Sequence, residues 1–213
     1  MRLGLASKTA VVTGAGRGRH RCRPWGIGPA TVRALTAEGV RVVGAARTLT
    51  PTDDTRWSRV LDLHLLSAVR VSRAALPSLI ERRGSNVNVS SVSAHARHRP
   101  GRLQRGQGGP QRTGQVAGRG VRTPGRTREH RLPGVTRTSV WDDPDGFGAK
   151  VAAGAGAEHA AFLQRVPDAF GITTGRITEP EEVAALIVFL LSRAAGNITG
   201  ADYVIDGGMV KTV

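Results

Sequence analysis

The stretch from Thr9 to Ala45 constrains this chain more than any other. Thr9–Thr13 (TAVVT) is apolar and β-branched with no turn residue inside, the pattern of a short buried strand. A glycine cluster follows. Pro29–Glu38 (PATVRALTAE) then spaces Ala30, Val32, Ala34 and Leu35 along one helical face, leaves Arg33 and Glu38 to water, and meets its stop at Gly39. Val40–Ala45 (VRVVGA) is a second strand. Strand, glycine turn, helix and strand together spell one βαβ unit. The expected fold class is therefore α/β, a doubly wound parallel sheet of the Rossmann type.

Further along, Trp57 to Ile80 has helical periodicity carried by Val60, Leu61, Leu65, Val69, Ala74, Ala75 and Leu76, with Pro77 expected to bend or interrupt it. Asn86–Ser91 (NVNVSS) alternates like the end of a strand. From His95 to Leu132 periodicity vanishes under glycine, arginine, glutamine and proline, and order is expected to return at Pro133. Glu181–Ser192 (EEVAALIVFLLS) reads as a helix with Pro180 just inside its start and Thr178 as N-cap, Glu181 completing a capping box. Tyr203–Ile205 is a last strand, closed by Asp206-Gly207-Gly208. The reading is a single domain over residues 1–213, with 95–132 set apart as an anomalous segment.

A net charge of +15 on 213 residues would ordinarily point to nucleic acid. Its distribution argues otherwise. His95–Leu132 holds ten arginines, no lysine and one acid, Glu129, and Arg17–Pro24 adds four more arginines. Aromatic residues for base stacking are missing from the longer tract. No apolar run reaches membrane-spanning length, Met1–Ser7 has no apolar leader core, and Cys22 has no second cysteine to bond with. A cytoplasmic protein without membrane or nucleic-acid partners, and without a metal site, is expected.

Thr13–Gly18 (TGAGRG) leaves a strand and approaches a helix, where glycines let the backbone close on a pyrophosphate met by helix N-terminal amides. These residues resemble the short-chain dehydrogenase/reductase family, whose nucleotide motif has the form TGxxxGIG. Here the motif is split: Thr13, Gly14 and Gly18 precede an arginine-rich interruption, and Gly26, Ile27 and Gly28 follow it. The resemblance continues through Pro133-Gly134 with Thr138, Gly175-Arg-Ile-Thr-Glu-Pro-Glu-Glu-Val-Ala, Phe189-Leu-Leu-Ser, Ile198-Thr-Gly and Asp206-Gly-Gly. It implies a nicotinamide cofactor on Thr13, Gly14, Arg17, Gly18, Ile27, Gly28, Pro133, Gly134 and Thr138. It further implies Ser91 as catalytic serine and places His64 at the family's asparagine position. Gly44-Ala-Ala-Arg47 ends the second strand with no acid, so Arg47 favours NADP over NAD. A small carbonyl or alcohol substrate and a homodimer or homotetramer follow from the same resemblance.

The family's chemistry needs a tyrosine, with a lysine four residues later, to deliver a proton as hydride moves. This chain has Leu103 and Gln107 there, and its only tyrosine is Tyr203. Shifting the reading frame by one base over Arg102–Thr113, with suitable synonymous codons, yields Asp-Tyr-Ser-Ala-Ala-Lys-Ala-Ala-Leu-Asn-Ala-Leu. Residues 95–132 are therefore read as a shifted-frame product. Between Arg47 and Trp57 only nine residues stand where relatives place a helix and two strands, so the sheet is expected to be incomplete in its centre. Two functions stay open: a short-chain oxidoreductase interconverting a carbonyl and a secondary alcohol, or a catalytically silent nucleotide-binding or interaction protein.

Overall fold

The computed structural model describes residues 3–14, 26–45, 58, 61–92 and 129–211. They fall into two compact units: residues 1–47, 133–195 and 205–213 form one, and residues 48–132 and 196–204 the other.

The first unit opens with β1 (Thr9–Thr13), α1 (Ile27–Ala37) and β2 (Arg41–Ala45). The two strands are parallel, with Thr9 opposite Arg41 and Thr13 opposite Ala45, as a helical crossover requires. Gly39, at φ +75°, supplies the left-handed residue just after α1. The helix begins two residues earlier than its periodicity indicated, at Ile27.

β1 alternates between exposed and half-buried residues, which corrects the expectation of a buried strand. Ala10, Val12 and Val42 turn toward Leu5, Leu35, Val40 and Val188. Val11 and Val43, on the other face, remain 62% and 58% exposed. Only one side of this sheet has helices against it among the described residues.

The unit continues with α3 (Ser139–Asp142), α4 (Phe147–Gly154), α5 (His159–Ala169) and α6 (Pro180–Leu191). α6 is apolar almost all round and buries Val183, Ala184, Ile187, Val188 and Leu190, as expected of a helix enclosed by its neighbours. It packs along α1, and Arg33 meets Glu181 across that contact at 2.8 Å. Both side chains are exposed, so the pair adds at most ~1 kcal/mol; buried Leu35 adds about 1.5–3 kcal/mol. A second cluster joins Val135, Val166, Ile172 and Ile177 with Trp141, Phe162, Leu163 and Met209.

The N-cap of α6 is Glu179, not Thr178, and Glu182 completes the capping box. The reason lies in the backbone of Thr178. Its N–H donates to Val135 O at 3.1 Å and its carbonyl accepts from Arg137 N at 2.8 Å. Thr178 is thus committed to strand-like pairing with the 135–137 segment, and the cap passes to the next residue.

The second unit holds a π-helical turn at Asp62–Leu66 that runs into α2 (Ser67–Glu81), followed by β3 (Val87–Val89). α2 passes through Pro77 without interruption and ends at Glu81. Pro77 has no N–H to donate to the carbonyl of Arg73, one turn earlier, and the helix continues for four residues beyond it. β4 (Glu129–Pro133) lies parallel to β3, and the strand order is β3-β4-β5, with β5 at Asp202–Ile205. A strand is therefore already present at Glu129, four residues before the expected Pro133. Backbone pairing with β3 overrides a sequence that shows no periodicity.

The described strands thus make two groups, a parallel pair β1-β2 and a three-stranded group in which β3 and β4 run parallel. This is the doubly wound class with its centre incomplete, as the short interval between Arg47 and Trp57 requires.

Candidate functional site

Thr13 ends β1 and delivers the chain to Gly14, whose φ of +75° is a left-handed value that favours glycine. A Cβ at Gly14 would meet nothing within 4 Å among the described residues, so among them the glycine serves the backbone turn and not the packing of a neighbour. Across the corner, Gly26 is the N-cap of α1 at φ +130°, and Ile27 and Gly28 form the first turn. Among the described residues no side chain caps this helix, and no acid stands in its first turn. Its amide end is consequently suited to an anion, by hydrogen bonding and by the helix dipole. Thr13, Gly14, Ile27 and Gly28 are all in the first unit. Arg17, Gly18 and Arg47 lie outside the described residues.

The second group of expected residues is in the same unit. Pro133 is buried, and Gly134 N donates to Ile205 O at 3.0 Å. Thr136 is 6% exposed and forms an isolated parallel bridge with Thr178. Thr138 is the N-cap position of α3, and its carbonyl accepts from both Trp141 N and Asp142 N at 2.9 Å.

Three charged residues that sequence reasoning did not single out converge here. Arg137 Nε donates to Glu179 Oε1 at 3.0 Å, and Arg137 Nη1 lies 3.5 Å from Asp142 Oδ1. Burial, foremost, raises the Asp142 carboxyl above its ordinary range; Arg137 opposes the shift and Glu179 reinforces it. His159 is anchored by a 2.8 Å contact from Nε2 to Trp141 O. Arg137 and Glu179 stand 42 residues apart, so no periodicity or short motif could have joined them.

His64 and Ser91 belong to the second unit. His64 occupies the middle of the π-helical turn, and such turns occur frequently at functional sites. Ser91 follows β3 and is half-buried. Asn86 Nδ2 donates to Ser72 Oγ at 3.1 Å, tying the approach to β3 to the helix that continues from His64. Leu103 and Gln107 are outside the described residues. Tyr203 is in β5. Among the described residues no three His, Cys, Asp or Glu side chains gather as a metal site would need. No described helix is long and apolar enough to cross a membrane.

Parallel strands, a glycine corner at a strand end and an uncapped helix start define an α/β protein of the Rossmann class. Residues 150–210 match the family model described as "Enoyl-(Acyl carrier protein) reductase". The chain is 30% identical over 159 residues to a 3-alpha-(or 20-beta)-hydroxysteroid dehydrogenase of Mycobacterium bovis, covering 73% of this chain and 53% of the relative. It is 32% identical over 180 residues to a meso-2,3-butanediol dehydrogenase of Serratia marcescens, covering 82% and 62% respectively. The chain thus spans roughly half to three-fifths of the length of these curated relatives. The L-sorbose reductase of Gluconobacter frateurii, solved with NADPH and L-sorbose, shares the fold with a TM-score of 0.73 at 21% identity over 100% of both chains. The chain belongs to the short-chain dehydrogenase/reductase family.

Proposed function

We propose that this protein is a short-chain oxidoreductase that binds NAD(P)(H) and interconverts a small carbonyl compound with its secondary alcohol. The observation that carries the reading is the corner formed by Thr13, left-handed Gly14 and the uncapped start of α1 at Gly26–Gly28. Glycine lets a phosphate approach the backbone, and the first-turn amides are suited to meet its charge. Pro133, Gly134 and Thr138 would border the nicotinamide end. Bound there, the nicotinamide supplies or accepts hydride. Ser91 would hold the carbonyl oxygen and His64 would relay protons.

The relatives support this choice of chemistry: their names describe dehydrogenases of a hydroxysteroid and of 2,3-butanediol. A structural neighbour solved with NADPH supports the cofactor class. Arg47, two residues beyond β2 in sequence, favours NADP(H) through its guanidinium. Assembly as a homodimer or homotetramer belongs to the same reading.

One observation favours a second reading, cofactor binding without turnover. The only tyrosine, Tyr203, is in β5 within the C-terminal motif, and Leu103 and Gln107 stand where a proton-donating pair would be. The deciding experiment titrates the full chain with NADPH and NADH by nicotinamide fluorescence. It then follows carbonyl-dependent loss of nicotinamide absorbance with a panel of ketones. Saturable binding with turnover supports the oxidoreductase; saturable binding alone supports the silent protein. No saturable binding would sink both.

A further inference from the structure

We propose that Arg137 is a positioning residue: it bridges Glu179 and Asp142 and thereby fixes the corner that carries Thr138 toward the cofactor. The proposal rests on the nucleotide-binding reading above and assigns a role to three residues that reading does not use.

The backbone on either side of Arg137 is already stitched to the segment before α6. Thr178 N donates to Val135 O at 3.1 Å, and Arg137 N donates to Thr178 O at 2.8 Å. At the next step the chain turns at Thr138 into α3, with Trp141 N and Asp142 N donating to Thr138 O at 2.9 Å. There the guanidinium acts. Its Nε holds Glu179 Oε1 at 3.0 Å, at the N-cap of α6, while Nη1 reaches Asp142 Oδ1 at 3.5 Å. Asp142 N in turn donates to Thr138 O at 2.9 Å, so drawing Asp142 back closes the turn on Thr138. One cation thus ties a fixed helix end to the far side of a four-residue helix.

Burial and charge both favour this division of labour. The side chains of Arg137, Asp142 and Glu179 are 37%, 22% and 44% exposed, so water screens them only in part. Without the arginine, two carboxylates would face each other beside the place assigned to an anionic cofactor, and their repulsion would open the corner. The planar guanidinium offers Nε–H and Nη1–H in a fixed fork, one toward each carboxylate, whereas a lysine would have to bring one ammonium within reach of both. α3 is too short to hold its own shape, having four residues.

The test compares the full chain with its Arg137→Met, Arg137→Lys, Asp142→Asn and Arg137→Met/Asp142→Asn variants. Two readouts are needed: amide hydrogen exchange and NADPH titration. Arg137→Met should speed exchange at residues 138–146 while leaving α1 unchanged, and should weaken NADPH binding by roughly three- to tenfold. Arg137→Lys should recover only part of the protection. The double variant should lose little more than Arg137→Met alone, because both changes break one link. If Arg137→Met unfolds the chain, Asp142→Asn still decides the matter, since it leaves the Arg137–Glu179 pair intact. Unchanged exchange at 138–146 in Asp142→Asn and Arg137→Met would overturn the proposal, as would fully additive losses in the double variant. Failure of the unmodified chain to bind NADPH would instead remove the cofactor reading, leaving the exchange pattern to show whether Arg137 holds the corner.

Discussion

Gly134 and Asp206 approach so closely that a Cβ at position 134 would lie 2.6 Å from the Asp206 Cβ and 2.8 Å from its Cα. Gly134 N donates to Ile205 O at 3.0 Å, which holds the two segments at this distance. Asp206 is buried, and its carboxylate accepts from Gly208 N at 2.8 Å and Val210 N at 2.7 Å. The Pro133-Gly134 and Asp206-Gly207-Gly208 motifs, so far apart in sequence, are therefore two halves of one packing contact. Gly134→Ala must push Asp206 and its turn aside. The expected cost is about 1–3 kcal/mol of stability, read from the midpoint and slope of denaturant unfolding. Wild-type stability in that variant would show that the contact relaxes without cost.

Gly14 makes the opposite case. A Cβ there meets no atom of the described residues within 4 Å, so Gly14→Ala should lose only about 1 kcal/mol from its left-handed backbone. The same methyl group would stand where a phosphate must approach. NADPH affinity should therefore fall by roughly tenfold or more while the unfolding midpoint moves little. A variant that binds NADPH as the parent does would place the phosphates elsewhere.

Val11 and Val43 are register partners on the bare face of the β1–β2 pair, whereas Leu35 is 1% exposed on the covered side. Replacing both valines with threonine should change stability by no more than about 0.5 kcal/mol for each and should raise solubility by removing exposed apolar area. Leu35→Ala should cost about 2–5 kcal/mol. Urea unfolding and a precipitation assay measure the two effects. A large loss from the valine pair would mean that something covers that face in solution.

Acid should weaken the protein through Glu182. The Arg176 guanidinium, first, and the Glu179 N–H, second, hold its carboxyl down to about 2, against an ordinary 4.5. The unfolded chain takes up this proton before the folded one does, so the stabilisation is complete above 4.5 and is lost as pH falls toward about 2. Glu182→Gln should flatten stability against pH across that window. Asp142 works in the other sense. Burial raises its folded pKa above 3.8, so its ionisation opposes folding as pH rises past that value, and Asp142→Asn should remove the opposing slope. Unfolding midpoints at stepped pH check both signs.

Much of the architecture was legible in local sequence. Thr9–Thr13 is the first strand to the residue, and α1, β2, α6 and β5 fall within a residue or two of their patterns. Side-chain period and β-branching act over a few neighbours, and so can be read from a few neighbours. The glycine corner is legible for the same reason, because a left-handed turn is a local demand. Other features answered to partners far along the chain. β4 begins at Glu129, within an arginine-rich tract, because β3 pairs with its backbone; the cap of α6 moved from Thr178 to Glu179 because residues 135–137 claimed Thr178.

The sequence by itself determined the class: a strand, a glycine turn and a helix that can only join a parallel sheet, together with a chain too short after Arg47 to complete that sheet. Tertiary structure alone decided that Val11 and Val43 are exposed, that Gly134 packs against Asp206, and that Arg137 joins Glu179 to Asp142. Those outcomes depend on distances between residues remote in the chain, and no local pattern encodes a distance that only folding creates.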